Sequence, residues 1–251
     1  MNKPNPRMSN KHFREQKLFA HYHVYPIIMF MLKDKLTWIH KFAIDIGCAE
    51  GGLIHEFIYK GIETDGIEIS LGRAVMARIN NPRSYICCND IADMIGVSRN
   101  KYGIATMVDV IEHIADKRTA LEKTFRLLKK DGILYITFPT KYAPFAGHQQ
   151  NLKSQLRYLP WISILPEKII LILGKLFKEN VEKIIVNKAN AISDKEFIKL
   201  ANGAGFKIEM KNSYVSRPIF KIRYGLPTIK HYQIYGKFLK CGSEYILRKI
   251  A

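Results

Sequence analysis

Read for apolar and polar positions alone, the chain changes period along its length. From Lys11 to Leu36 the large apolar side chains fall at Phe13, Leu18, Phe19, Tyr22, Tyr25, Ile28, Met31 and Leu32. That spacing suits helix, and Pro26 is expected to interrupt it. Ahead of it, residues 1–10 are expected to be disordered. From Phe42 onward, short apolar runs alternate with amphipathic stretches. Strands are expected at 42–46, 63–69, 84–88, 103–108 and 132–138, with helices at 50–60, 70–80, 91–98 and 116–129 between them. Such alternation predicts a parallel sheet covered on both faces. Ligands in such sheets bind beyond the carboxyl ends of the strands, near the point where strand order reverses.

After Pro139 the alternation stops. Lys141 to Gln150 is a loop rich in turn formers and polar side chains. Tyr158 to Phe177 is unusually apolar, with a helix expected from Glu167. Ser193 and Glu196 form a capping box for a helix at 194–202, which Gly203 and Gly205 stop. A strand at 206–211, a basic and irregular segment at 212–242 and a last strand at 244–250 close the chain. The organisation expected is a helical leader (1–41), a core (42–139), an insertion (140–190), and a C-terminal helix with closing strands of the same domain (191–251).

The most informative chemistry sits at Phe42-Ala-Ile-Asp-Ile-Gly-Cys-Ala-Glu-Gly-Gly52. An apolar strand carries Asp45 near its end, a glycine-punctuated turn follows, and a helix begins. Glycine lets backbone approach a ligand closely, and a helix start offers free N–H groups and partial positive charge. Glu68 stands twenty-one residues after Gly47, at the end of the next strand, where an acid can take both hydroxyls of a ribose. Dinucleotide-binding enzymes share that pair of features, but this loop lacks their third glycine.

Four motifs in order raise the signal. The glycine loop resembles motif I of the class I S-adenosylmethionine-dependent methyltransferases. Cys88-Asn89-Asp90-Ile91 resembles the family's adenine-binding end of strand three. Met107-Val-Asp-Val-Ile-Glu-His113 resembles its apolar strand followed by Glu-His. Leu127-Leu-Lys-Lys-Asp-Gly-Ile-Leu-Tyr-Ile-Thr-Phe-Pro139 resembles its double leucine, turn and strand ending in proline. Gly103 stands where the family often has an acid, and Asp131-Gly132 replaces the more usual Gly-Gly. The four motifs cover about two-fifths of the chain.

The resemblance implies a Rossmann-like, doubly wound α/β sheet of seven strands, mostly parallel with an antiparallel last strand. A helical leader and a helical insertion after strand five would be added to it. It implies S-adenosylmethionine as cofactor. Asp45, Gly47, Cys48 and Gly51 would lie beside its methionine part, Glu68 on the ribose, Asp90 and Ile91 on the adenine, and Asp109 beside the sulfonium. Asp90 could equally cap the next helix. Two histidines fall on loops at the cleft, His113 and His148. Either could take an acceptor's proton near neutral pH. His113 follows Glu112 in a tight turn and reads equally as structural. His148 lies on a polar loop expected to be flexible, bracketed by Gly147 and Gln149, in a Gly-His-Gln-Gln stretch similar to one found in a subset of bacterial methyltransferases.

Charge changes the picture of partners. The net charge of +18 is uneven: residues 42–139 sum to −1, against +6 for 1–41, +4 for 140–186 and +9 for 187–251. A basic surface attracts phosphate, on nucleic acid or on an anionic membrane, unless it is only solvated surface. The apolar patch is too interrupted by Glu167, Lys168, Lys175 and two prolines to span a bilayer. It reads as a buried helix, a lid over a greasy substrate, or an interfacial helix with Tyr158 and Trp161 at headgroup level. With no signal-peptide pattern, the four cysteines read as reduced thiols of a cytosolic protein, and their spacing suggests no metal. The expected activity is O- or C-methylation of a small-molecule or lipid-linked acceptor. The alternatives are RNA methylation, which the missing Asn-Pro-Pro-Tyr-like tetrapeptide after strand four disfavours, and a catalytically silent cofactor-binding interaction module.

Overall fold

The computed structural model describes residues 6–33, 37–95, 99–232 and 236–250. Its centre is one sheet of eight strands: β1 (Phe42–Ile46), β2 (Glu63–Ile67), β3 (Ile86–Cys87), β4 (Tyr102–Val108), β5 (Leu128–Phe138), β6 (Phe206–Ser216), β7 (Ile229–Lys230) and β8 (Gly242–Lys249). They lie in the order β3-β2-β1-β4-β5-β8-β6-β7. The first five are parallel, and β8 runs antiparallel to both β5 and β6. The α/β class expected from the alternation holds. The count is eight rather than seven because β7, only two residues long, pairs antiparallel with the edge of β6.

Alternating side chains of each strand supply two apolar layers. Ala43, Ile104, Ile133, Tyr135 and Ile246 face one side, where the leader's Phe19, Val24 and Ile28 pack with Leu53 and Phe57. Ile44, Met107, Leu134, Ile136 and Leu247 face the other, under Leu121 and Phe197. Burial on both faces is why these strands read as near-continuous apolar runs.

The helices are α1 (Pro6–Phe19), α2 (Tyr25–Met31), α3 (Gly52–Tyr59), α4 (Leu71–Asn80), α5 (Lys117–Leu127), α6 (Glu167–Leu176), α7 (Glu182–Asn190), α8 (Asp194–Gly203) and α9 (Pro218–Tyr224). Several boundaries differ from expectation. Residues 6–10 belong to α1, and the disorder expected of residues 1–5 lies outside the described residues. Pro26 does not break the leader. A π turn at Ala20–Val24, in which the Tyr25 N–H reaches the Ala20 carbonyl, leads the chain into proline in helical conformation. Proline's missing donor costs little at a helix start. The helix expected at 91–98 is a turn at 91–93, and residues 96–98 of it lie outside the described residues. β6 runs on to Ser216 and α9 follows, where irregular chain was expected.

The glycine at 103 has a steric reason. A Cβ there would lie 1.9 Å from the carbonyl oxygen of Ile39, so the segment before β1 leaves no room for a side chain.

One buried carboxylate ties the leader to the far end of the chain. Glu244 of β8, 1% exposed, accepts hydrogen bonds from Tyr135 Oη (2.6 Å), Tyr214 Oη (2.8 Å) and Asn212 Nδ2 (2.9 Å), and meets His23 Nε2 at 2.6 Å. Burial alone would raise its pKa; these partners instead hold it at about 2.

Candidate active site

Chain order reverses between β1 and β4, and beyond their carboxyl ends lies a cavity of about 780 Å³. Asp45, Gly47, Glu68, Asp90, Ile91, Asp109, His113 and His148 all line it. Cys48 and Gly51 are not brought to its wall. The Cys48 side chain is buried in a small cluster with Ile54 and Ala77. Gly51 starts α3 in left-handed conformation, its carbonyl taken by Asn81 Nδ2.

At one end the glycine loop is drawn tightly together. Gly47 has φ +74°, and a Cβ on it would lie 2.3 Å from a Val110 methyl. The Gly47 and Cys48 N–H groups donate to the Ile67 carbonyl at 2.7 and 3.0 Å, fastening the loop to the end of β2. Asp45 is buried and accepts from Thr106 Oγ1 at 2.7 Å. Burial pushes its pKa up to about 7; the Thr106 bond opposes this and the Glu68 charge adds to it. The Glu68 carboxylate is fixed by two backbone donors, Ala49 N–H at 2.9 Å and Ser70 N–H at 2.8 Å, one on each oxygen. A carboxylate oxygen has room for a further donor, so Glu68 keeps acceptor capacity toward the cavity. Asp90 caps the 91–93 turn, accepting from Ala92 N–H at 2.8 Å, while still lining the cavity beside Ile91.

The leader forms part of this site, which its apolar spacing did not reveal. Lys11, His12, Glu15, Gln16 and Phe19 of α1 line the cavity. Gln16 Oε1 accepts from Gly52 N–H at 3.2 Å, so one of the free donors at the start of α3 is already used by protein. Glu50 joins His12 Nδ1 (2.5 Å) to Arg73 Nε (3.2 Å) across the loop. Contacts between residues this far apart leave no periodic trace in sequence.

At the other end Asp109 adopts φ +56° directly after β4. It accepts from Thr137 Oγ1 at 3.0 Å and pairs with the buried guanidinium of Arg217. Burial would raise the Asp109 pKa, but the Arg217 charge and hydrogen bond hold it below the ordinary carboxylate value. Arg217 was not singled out by sequence reading; it lay in a stretch taken as irregular. Glycine at 242 makes room for it, since a Cβ there would meet the Arg217 side chain at 2.6 Å.

Beside this pair stand Glu112, His113 and His148. Glu112 is 4% exposed, and neither carboxylate oxygen has a hydrogen-bond partner among the described residues. Its pKa is pushed far up, first by burial and then by the Asp109 charge. The His113 and His148 rings meet edge to face, 4.9 Å between centroids. Both pKa values are lowered by burial, that of His148 also by the neighbouring His113, so both rings tend to be neutral. The loop of His148 is held rather than flexible. Gln149 is fully buried and donates to the carbonyls of Pro144 and Leu159, and Asn187 Nδ2 donates to the Gly147 carbonyl.

Residues 37–210 match a family described as a methyltransferase domain. A ubiquinone biosynthesis O-methyltransferase of Rhodopseudomonas palustris is 27% identical over 122 residues, 47% of each chain. The chain thus spans about half the length of the curated relatives it matches. A Thermotoga maritima structure described as an S-adenosylmethionine-dependent methyltransferase, possibly acting on histamine, superposes with TM-score 0.54 at 18% identity, covering 92% of this chain and 98% of that one. A geranyl diphosphate C-methyltransferase from Streptomyces coelicolor, bound to Mg²⁺, geranyl diphosphate and S-adenosylhomocysteine, superposes with TM-score 0.55 at 13% identity, covering 90% and 79%. At such identities the superpositions speak for the fold.

Proposed function

Because this chain belongs to the class I S-adenosylmethionine-dependent methyltransferases, we propose that it methylates a small-molecule or lipid-linked acceptor at oxygen or carbon. The cofactor brings a methyl group already activated on its sulfonium, so the chain's own work is alignment and proton removal. The residues at the glycine-loop end fit that cofactor. Glu68 is pre-aimed by two backbone donors and retains lone pairs for ribose hydroxyls. Asp90 and Ile91 offer an acceptor and an apolar wall for an adenine. Asp45 and Gly47 line the cavity at this end, and Asp109 lines it at the histidine end. The observation carrying the proposal is that one cavity joins a ribose-type acid to a pair of imidazoles whose rings meet at its wall. At the histidine end, His148 accepts the acceptor's proton and His113 packs against its ring.

The cofactor assignment is tested at Glu68. Losing even one charge-assisted hydrogen bond costs about 1.5–3 kcal/mol, roughly ten- to a hundredfold in affinity. Calorimetry should show Glu68→Ala binding S-adenosylhomocysteine that much more weakly, with thermal melting reporting separately on the fold. Unchanged affinity would remove this acid from the site. Mass spectrometry of small molecules extracted from the native protein addresses the acceptor.

A lipid-linked acceptor is favoured by the insertion. Among the described residues no helix is long and apolar enough to cross a membrane. Yet α6 exposes Ile169, Ile172 and Leu176, one helical stripe, beside Lys168, Lys175 and Lys178. Of the two residues expected at a headgroup, Tyr158 is exposed, while Trp161 Nε1 donates to the Phe238 carbonyl. Sedimentation with anionic liposomes should decline with salt, and Ile169→Ser with Ile172→Ser should weaken it further. Indifference to liposomes together with salt-steep RNA binding would favour an RNA acceptor instead.

A further inference from the structure

We propose that Glu112, His113 and His148 form a site for one divalent transition-metal ion at the acceptor end of the cavity. This deepens the methyl-transfer reading and rests on it. The first observation is the orphaned carboxylate. Glu112 is buried on the turn Ile111–His113 with both oxygens unpartnered among the described residues, whereas buried polar groups are almost always satisfied. The nearby cations are committed elsewhere: Arg217 to Asp109, and the Lys117 ammonium to the Ile114 carbonyl at 2.6 Å. The second observation is convergence. One ligand atom from each of the three residues lies within 4.8 Å of the others, and Glu112 Oε1 stands 3.8 Å from His113 Nε2. Tetrahedral ligands at about 2.0–2.2 Å stand roughly 3.3–3.6 Å apart, so side-chain movements of about 1 Å would close the set.

The surroundings suit ligation. Asn187 Nδ2 donates to the Gly147 carbonyl at 3.0 Å and so holds the chain just ahead of His148. Two imidazoles and one carboxylate suit zinc, iron, cobalt or manganese better than calcium or magnesium. With three protein ligands, an ion held there would keep a position for an acceptor hydroxyl and would lower that hydroxyl's pKa. Its O–H bond then breaks with the proton passing to solvent. An oxygen electron pair forms the new bond to the methyl carbon, while the C–S bond breaks and its pair stays on sulfur as a neutral thioether. In that state His148 holds the ion rather than the proton.

The test uses the full chain, stripped with a chelator and titrated with Co²⁺ while its visible ligand-field bands are followed. One equivalent should bind, Zn²⁺ should displace it, and Glu112→Gln and His148→Ala should each weaken binding about tenfold or more. Calorimetry on the same samples measures S-adenosylhomocysteine, whose affinity should be the same in all three. Wild type that leaves the aquo-ion spectrum unchanged, or variants that bind Co²⁺ as tightly as wild type, would overturn the site. If the stripped protein binds S-adenosylhomocysteine yet no cobalt, only the ion proposal falls. If it binds cobalt but no S-adenosylhomocysteine, the methyl-transfer reading falls instead.

Discussion

Replacing His148 with alanine is expected to lower turnover by about 10²–10⁴ while leaving S-adenosylhomocysteine affinity at the wild-type level. The expectation rests on position. His148 sits on the cavity wall at the end away from Glu68, on a loop held by the buried Gln149 and by Asn187. Its neutral form is the working form whether it accepts a proton or holds a cation. Burial lowers its pKa, so the acidic limb of the rate profile should lie below the ordinary imidazole range near 6.5. Activity should therefore fall only as pH drops through that lowered value, and alanine should abolish the limb along with most of the rate. If His148 acts as the base alone, activity survives chelation; if it holds an ion, chelation mimics the alanine variant. A loss confined to acceptor affinity at full turnover would reduce His148 to a binding residue.

Arg217→Met should destabilise the fold by about 3–5 kcal/mol, because it leaves Asp109 a buried carboxylate without its counter-charge. Urea unfolding at neutral pH measures this directly. In wild type the folded pKa of Asp109 is depressed, so the pair's contribution is present above the unfolded value near 3.9 and lost as pH falls through the folded one. In the variant burial is no longer opposed, the carboxyl takes up a proton more readily, and the gap from wild type should shrink on acidification. Adding Asp109→Asn should recover part of the loss by removing the stranded charge. A single variant as stable as wild type at neutral pH would show that the pair adds nothing to folding.

What could be read from sequence was what short spacing encodes. The strand, loop and helix of Phe42–Tyr59 show in period and glycine placement alone, and Glu68 follows at the distance one strand-helix-strand unit requires. His113 and His148 were legible as loop residues past the ends of adjacent strands. Arg217, by contrast, meets Asp109 across 108 residues, and Gln16 meets Gly52 across 36. No local pattern marks such pairs. The orphaned state of Glu112 was equally hidden, since it depends on what fails to approach it. Trp161 stayed ambiguous for a related reason: aromatic character announces packing against something, but leaves open whether that partner is protein or lipid. The leader's Pro26 misled because a π turn can deliver chain to proline without a break.

The place of β8 also orders events in time. The strand nearest the end of the sequence is inserted between β5 and β6, and its Glu244 is the group that His23 of the leader meets across 221 residues. During synthesis β1 to β5 and their helices can assemble as they emerge, since each pairs with a near neighbour. β6 has no place in the sheet until β8 arrives, and His23 of the leader lacks Glu244 at the same stage. Closing so long a loop is slow relative to local contacts, and exposed strand edges wait while it happens. The Arg217–Asp109 pair, whose arginine directly follows β6, therefore depends on the same late pairing. A nascent chain halted before Gly242 would hold a formed glycine loop but an unfinished histidine end.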